Sequence, residues 1–301
     1  RMAPLFLLAL LLAPARGIVT HESPKPLTPS ADTTHPVVQK FFLLATPRSG
    51  SSWLSTLLAG SRAIDYHANE CFHTAVSMQH CASDWHIISK VPGSLEEQLD
   101  LFFRPSSNST ASHVGFKWMA NQRFDDTAGT VERALSYFKD NNVKVVALDR
   151  DNLLRKCYSL YDMRLRREAG QDIFNREGGD DAGAEARLKA KLDVPFSYWA
   201  WCLDRRAHFK AVFDRIVAAV PKGTAHVVKY SSLCFNPKQE LDGIQQFLNL
   251  TTPLGAHSQL QKAHSGSLHS MVRDWEATRT RLMKETHWGS KIKEWEAAEC
   301  G

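Results

Sequence analysis

Phe41-Phe42-Leu43-Leu44-Ala45-Thr46-Pro47-Arg48-Ser49-Gly50-Ser51-Ser52-Trp53-Leu54 opens as an apolar run of strand length. It turns through Pro47 and Gly50 and continues into Leu54, Leu57 and Leu58 at i, i+3 and i+4 spacing. Apolar run, small-residue turn and helical period together predict a buried strand, a tight loop and an amphipathic helix. The first amides of a helix have no partner inside it, and the helix dipole adds partial positive charge there, so such a loop suits a phosphate or sulfate. Arg48 adds a permanent cation of fork geometry, and Ser49, Ser51 and Ser52 add hydroxyl donors. A plain strand–loop–helix connection with serine caps fits the same spacing. The nucleotide-binding pattern G-x-x-x-x-G-K-[ST] is not met, because the lysine is missing and the glycine spacing differs.

Downstream, a short strand through Ile64 and Tyr66 leads to Glu70, which is placed near the carboxyl ends of the strands, where open α/β sheets hold their sites. Glutamate is more often a solvated loop carboxylate. The run Val114 to Gln122 is a further strand interrupted by Lys117, and an edge-strand lysine with its ammonium in water fits it as well. Thr130 to Asp140 carries Val131, Leu135 and Phe138 on one face, and Val143 to Leu148 is the next buried strand. It runs into Arg150 and a helix through Ser159; an Arg150–Asp151 surface ion pair is the ordinary alternative. Strand and helix therefore alternate, which implies a parallel sheet with right-handed crossovers.

The Thr46-to-Trp53 string resembles the 5′-phosphosulfate loop of sulfotransferases that use 3′-phosphoadenosine 5′-phosphosulfate (PAPS), in the arginine form of carbohydrate and bacterial-type members. The resemblance covers roughly residues 40 to 285. It implies donor-binding roles for Arg48, Ser49, Gly50, Ser51, Ser52 and Trp53. It implies a 3′-phosphate site at Arg150 and Ser159, where a guanidinium fork and a hydroxyl would converge on one anion. Asn69-Glu70-Cys71-Phe72 resembles the segment bearing the general base, with His67 and His73 as neighbouring rivals, and Gly115-Phe116-Lys117 resembles the strand whose lysine lies close to the reaction centre. His264, Ser265 and Ser267 are candidate nucleotide contacts. Tyr230-x-x-Leu233 and Phe247 to Leu250 match later family blocks, but the glutamate usual after the tyrosine is Ser231 here.

The remaining features bound the setting. The chain has 301 residues, 43% hydrophobic and 23% charged, enough for one sizeable α/β domain, and its net charge of +5 favours anionic ligands without requiring nucleic acid. Ala3 to Ala13 is too short to span a bilayer and ends in Ala13-Pro14-Ala15, so residues 1–17 read as a secretory signal peptide or a truncated signal anchor. Residues 18–36 are a proline-rich linker, and 37–301 the functional domain. Sequons stand at Asn108 and Asn249. Six cysteines allow up to three disulfides, with Cys71–Cys81 the short-loop pairing; buried free thiols are the alternative. No metal-ligand spacing occurs among the thirteen histidines.

The charged stretch Arg164 to Lys191 reads as a solvated excursion. Trp199 and Trp201 read as core rather than a sugar-stacking platform, and Leu203 to Val220 as a long amphipathic helix. Ser267 onward reads as one helix through Trp275. The expected fold is a three-layer α/β sandwich around a mainly parallel sheet, P-loop NTPase-like in the sulfotransferase manner. The expected reaction moves a sulfuryl group from PAPS to a hydroxyl of a carbohydrate or small acceptor. Adenosine 3′,5′-bisphosphate is the product, with no metal, in the Golgi lumen or membrane or after secretion. A phosphate-binding NTPase or kinase, and an inactive secreted glycan-binding protein, are the rival classes.

Overall fold

The computed structural model describes residues 38–70, 94–122, 129–170, 191–255 and 266–297; at 68–70 and 297 it describes the backbone alone. The N-terminal apolar run, the linker, Cys71, His73, Cys81, His264 and Ser265 lie outside them.

Strand β1 (Gln39–Ala45) carries Phe41, Phe42, Leu43 and Leu44, all fully buried. The run does not alternate because both faces of the sheet are covered, as in parallel sheets with helical crossovers. Each such side chain contributes roughly 1.5–3 kcal/mol on burial. Strands β2 (Ile64–Glu70), β3 (His113–Met119), β4 (Lys144–Asp149) and β5 (Ala225–Lys229) join it in the order β2-β3-β1-β4-β5, and every pairing is parallel. From β1 the chain crosses to the β2 side, and from β4 to the β5 side. The two neighbours β1 and β4 therefore form a topological switch point, and the crevice beyond their carboxyl ends is where such sheets bind ligands.

Phe42, Leu44, Phe116, Trp118, Val145 and Ala147 form one face with α2 (Leu95–Phe102), α3 (Thr130–Asp140) and the distal half of α5 (Phe196–Ala219). Phe41, Leu43, Met119, Val146 and Leu148 form the other with α1 (Ser51–Ala59), α6 (Tyr230–Phe235) and α7 (Pro237–Leu248). A third cluster joins α4 (Leu153–Glu168) and the first half of α5 to α8 (Leu268–Met271), α9 (Trp275–Glu285) and α10 (Gly289–Ala297). A disulfide, Cys157–Cys202, fastens α4 to α5 inside that cluster.

Three expectations are corrected. The long helix starts at Phe196, seven residues before Leu203, because its first turns pack on α4 instead of the sheet. Trp199 is core as expected, but Trp201, half a turn round, is 51% exposed. The helix from Ser267 breaks after Met271, where Asp274 adopts φ 50°, and restarts at Trp275.

Candidate functional site

The loop after β1 is shaped by two left-handed residues in three: Arg48 at φ 67° and Gly50 at φ 86°. Between them Ser49 N–H donates to the Thr46 carbonyl at 3.2 Å. Gly50 is the N-cap of α1, with no side chain capping the helix, so the first amides of α1 are left to other partners. The Ser49 hydroxyl is fully buried and has no hydrogen-bond partner among the described residues. Buried polar atoms are rarely left so, and an acceptor in the loop would satisfy it. The Ser51 hydroxyl is already engaged, donating to Met119 Sδ, while Ser52 is exposed and Trp53 half-buried.

Arg48 turns across the switch-point crevice to α4. Its Nε and Nη2 donate to the Ser159 hydroxyl at 2.9 and 2.7 Å, and Nη1 approaches Met163 Sδ at 3.6 Å. Arg150, from the end of β4, donates to the Arg48 carbonyl at 3.1 Å and stacks on the Tyr230 ring at 4.4 Å. The sheet thus brings Arg48, Arg150 and Ser159 together from three separate segments. The alternative Arg150–Asp151 ion pair does not form among the described residues: Asp149 and Asp151 instead take Lys229 at 2.6 and 3.0 Å, and Lys210 lies 3.5 Å from Asp149.

Beneath the loop lie groups that sequence reading did not single out. Lys156 is completely buried and donates from Nζ to Thr46 Oγ1 at 2.8 Å. Burial pushes its ammonium down to about 7; Asp149 opposes this, and Arg150, Lys210 and Arg206 add to it. Arg155 donates to the Gly266 carbonyl and to Met271 Sδ, tying α4 to residues at either end of the α8 turn. Burial, followed by like charge from Arg150, lowers it to about 10. Arg206, 5% exposed on α5, is also held down to about 10, chiefly by burial. Tyr230 both supports Arg150 and closes the space beside Gly50.

Lys117 sits on β3, an interior strand, and is 5% exposed, so the edge-strand reading is corrected: β2 covers the side it would have faced. Its register partner on β1 is Leu43 and on β2 is Glu70, the last residue of that strand, beyond a bulge after His67. β2 is longer than the Ile64–Tyr66 segment suggests, which carries Glu70 to the carboxyl edge. His67 is lowered below its ordinary value by burial, with Asp65 opposing. Ser267 caps α8, accepting from the Ser270 amide.

A model of the sulfotransferase domain family matches residues 39–297. No curated protein matches the chain. Among solved structures, a sulfotransferase from Alicyclobacillus acidocaldarius is 15% identical, covering 86% of this chain and 94% of its own, with a TM-score of 0.44. The sulfotransferase domain from the curacin biosynthetic pathway is 15% identical over 87% and 92%, with a TM-score of 0.46. A mouse sulfotransferase, SULT7A1, solved with PAP, is 14% identical over 85% and 89%, with a TM-score of 0.41.

Proposed function

Because the chain belongs to the sulfotransferase domain family, we propose that it moves the sulfuryl group of PAPS to a hydroxyl, and that the acceptor is a carbohydrate. The observation that carries this reading is the meeting of Arg48, Arg150 and Ser159 at the switch-point crevice, beside the uncapped start of α1. The residues fit an anionic donor: guanidinium groups face a loop whose buried Ser49 hydroxyl has no partner among the described residues.

In this reading the loop amides, Ser49 and Arg48 hold the 5′ side of the donor, and Arg150 with Ser159 reads the 3′-phosphate. The donor supplies an electrophilic sulfuryl group, so the protein's work is alignment, charge stabilisation and removal of one proton. Glu70, at the end of β2, takes the acceptor's hydroxyl proton as the new O–S bond forms and the bridging O–S bond breaks. Lys117, opposite Glu70 in register, lies toward the developing negative charge on that bridging oxygen. Arg48 donates to the Ser159 hydroxyl, and donor binding exchanges that hydroxyl for anionic oxygens.

Residues 37–301 are the catalytic domain in this reading, and 1–17 a signal segment that sends it to the Golgi lumen or membrane, or to secretion. The Cys157–Cys202 bridge and the exposed sequon residues Asn108 and Asn249 support an oxidising, glycosylating compartment. Labelled PAPS, offered with a panel of glycans and small alcohols, should yield labelled product with at least one glycan. Calorimetry should show adenosine 3′,5′-bisphosphate binding without added metal. Tight binding with no turnover on any acceptor would instead favour a glycan-binding protein, and preference for ATP with magnesium an NTPase.

A further inference from the structure

α5, bridged to α4 through Cys202, carries one buried guanidinium. Arg206 is 5% exposed, yet its Nε and Nη1 have no hydrogen-bond partner among the described residues. Its position is fixed from below by the Phe209 ring, 5.4 Å from the guanidinium carbon, and its helix is clamped to α4 one turn earlier by Cys202. The charged groups acting on it are Arg205 and Arg48, which repel it, and the Tyr198 phenol. Lys156, bonded to Thr46 of the loop, feels Arg206 as a like charge in turn. The carboxylates at the end of β4, Asp149 and Asp151, are taken by Lys210 and Lys229. A buried guanidinium with open N–H groups and cations for neighbours is costly unless an anion joins it.

We infer that Arg206 is a donor-binding residue, closing on the 5′ anionic group of the donor from the α5 side, opposite Arg48. The inference rests on the donor reading above and deepens it. Geometry places this stretch of α5 beside the crevice: Lys210, one turn beyond Arg206, lies 3.5 Å from Asp149 at the end of β4, and Cys202, one turn before it, is bridged to α4. An exclusively structural arginine, by contrast, would have its N–H groups spent on carbonyls or carboxylates.

The test is calorimetry and thermal melting on the full chain, wild type, Arg206→Gln and Arg206→Lys, with adenosine 3′,5′-bisphosphate and adenosine 5′-monophosphate as probes. Arg206→Gln should weaken both probes by a similar factor, roughly 10- to 100-fold, the scale of a lost bond to a charged group. Its melting temperature without ligand should equal or exceed that of wild type, since an uncompensated charge has been removed, while the ligand-induced rise in melting temperature shrinks. Arg206→Lys should recover part of the affinity. Unchanged affinity for both probes in folded Arg206→Gln overturns the inference and leaves the donor reading intact. So does an Arg206→Gln chain that fails to fold while Arg206→Lys folds and binds as wild type. A wild-type chain that binds neither probe overturns the donor reading and this inference together.

Discussion

Gly50 shows how little freedom the loop has at the level of single residues. It stands at φ 86°, where a side chain is strained, and a Cβ there would lie 2.8 Å from Tyr230 Cδ2 and nearer still to Cε2. Gly50→Ala must therefore bend the loop or push aside the ring on which Arg150 stacks. We expect a loss of roughly 1–3 kcal/mol in urea unfolding, the scale of backbone strain with displacement of a packed ring, and weaker binding of adenosine 3′,5′-bisphosphate. A variant with wild-type stability and affinity would remove the loop's dependence on this glycine. Lys156 adds a pH dependence of definite sign. Its ammonium is lowered to about 7 in the fold from 10.5, so between those values the unfolded chain holds more protons than the folded one. Stability contributed by this group therefore rises with pH across roughly 7 to 10.5, and the full burial cost is felt only below about 7. Lys156→Met should flatten that rise in urea titrations at successive pH values. A rise as steep in Lys156→Met as in wild type would assign it to other groups.

Among the elements, α4 and α5 carry the greatest dependence on one covalent link. Cys157 lies two residues before Ser159, which meets Arg48 of the loop, and Cys202 four before the buried Arg206, so the bridge fixes both helices close to those side chains. The cysteines are 45 residues apart. Closing a loop of that length is worth roughly 3–4 kcal/mol through the unfolded state. Cys202→Ser should lower the melting temperature accordingly and also weaken donor binding; reductant should reproduce both effects in wild type and act on the variant only through the separate bridge at Cys234. Equal sensitivity of the variant to reductant would show that another bridge is responsible. The same elements mark where sequence reading succeeds and where it stops. β1, the loop and α1 are legible because an apolar run, Pro47, Gly50 and a helical stripe change period within fourteen residues. The Arg150–Ser159 unit is legible because its strand and helix have the same grammar. Lys156 is not, since a lysine after an arginine on a helix reads as solvated; only the packing of α4 under the loop buries it. Arg206 hides for the same reason inside Asp204-Arg205-Arg206. The start of α5 is obscured because four of the six residues from Phe196 to Trp201 are aromatic and carry no clear 3.6-residue contrast, so exposed Trp201 looks like buried Trp199.

Over the whole molecule, one parallel sheet does the assembling: five carboxyl ends point to one edge, and the β1/β4 switch point puts Arg48, Arg150 and Ser159 at its centre. β3 and β2 then extend the edge to one side. Lys117 and Glu70 are register partners on those two strands, and Glu70 is the last residue of its own. This placement, on the far side of the switch point from Arg150, suits a proton acceptor for the incoming hydroxyl better than a donor-binding role. A positioned base contributes about 10²- to 10⁴-fold in rate. Glu70→Gln keeps the size of the side chain and removes its basicity, so kcat should fall by about that factor while the Kd of adenosine 3′,5′-bisphosphate stays within about twofold of wild type. The pH profile separates this from a fold effect. The carboxylate limb of kcat/KM, rising from acid pH in wild type, should vanish in Glu70→Gln, while the residual rate still responds to loss of Arg48. His67, lowered by burial in the middle of β2, is the rival on the same strand. If Glu70→Gln keeps most of the activity and His67→Ala abolishes it without unfolding the chain, the proton leaves through the imidazole, and the base sits before the bulge of β2 instead of after it.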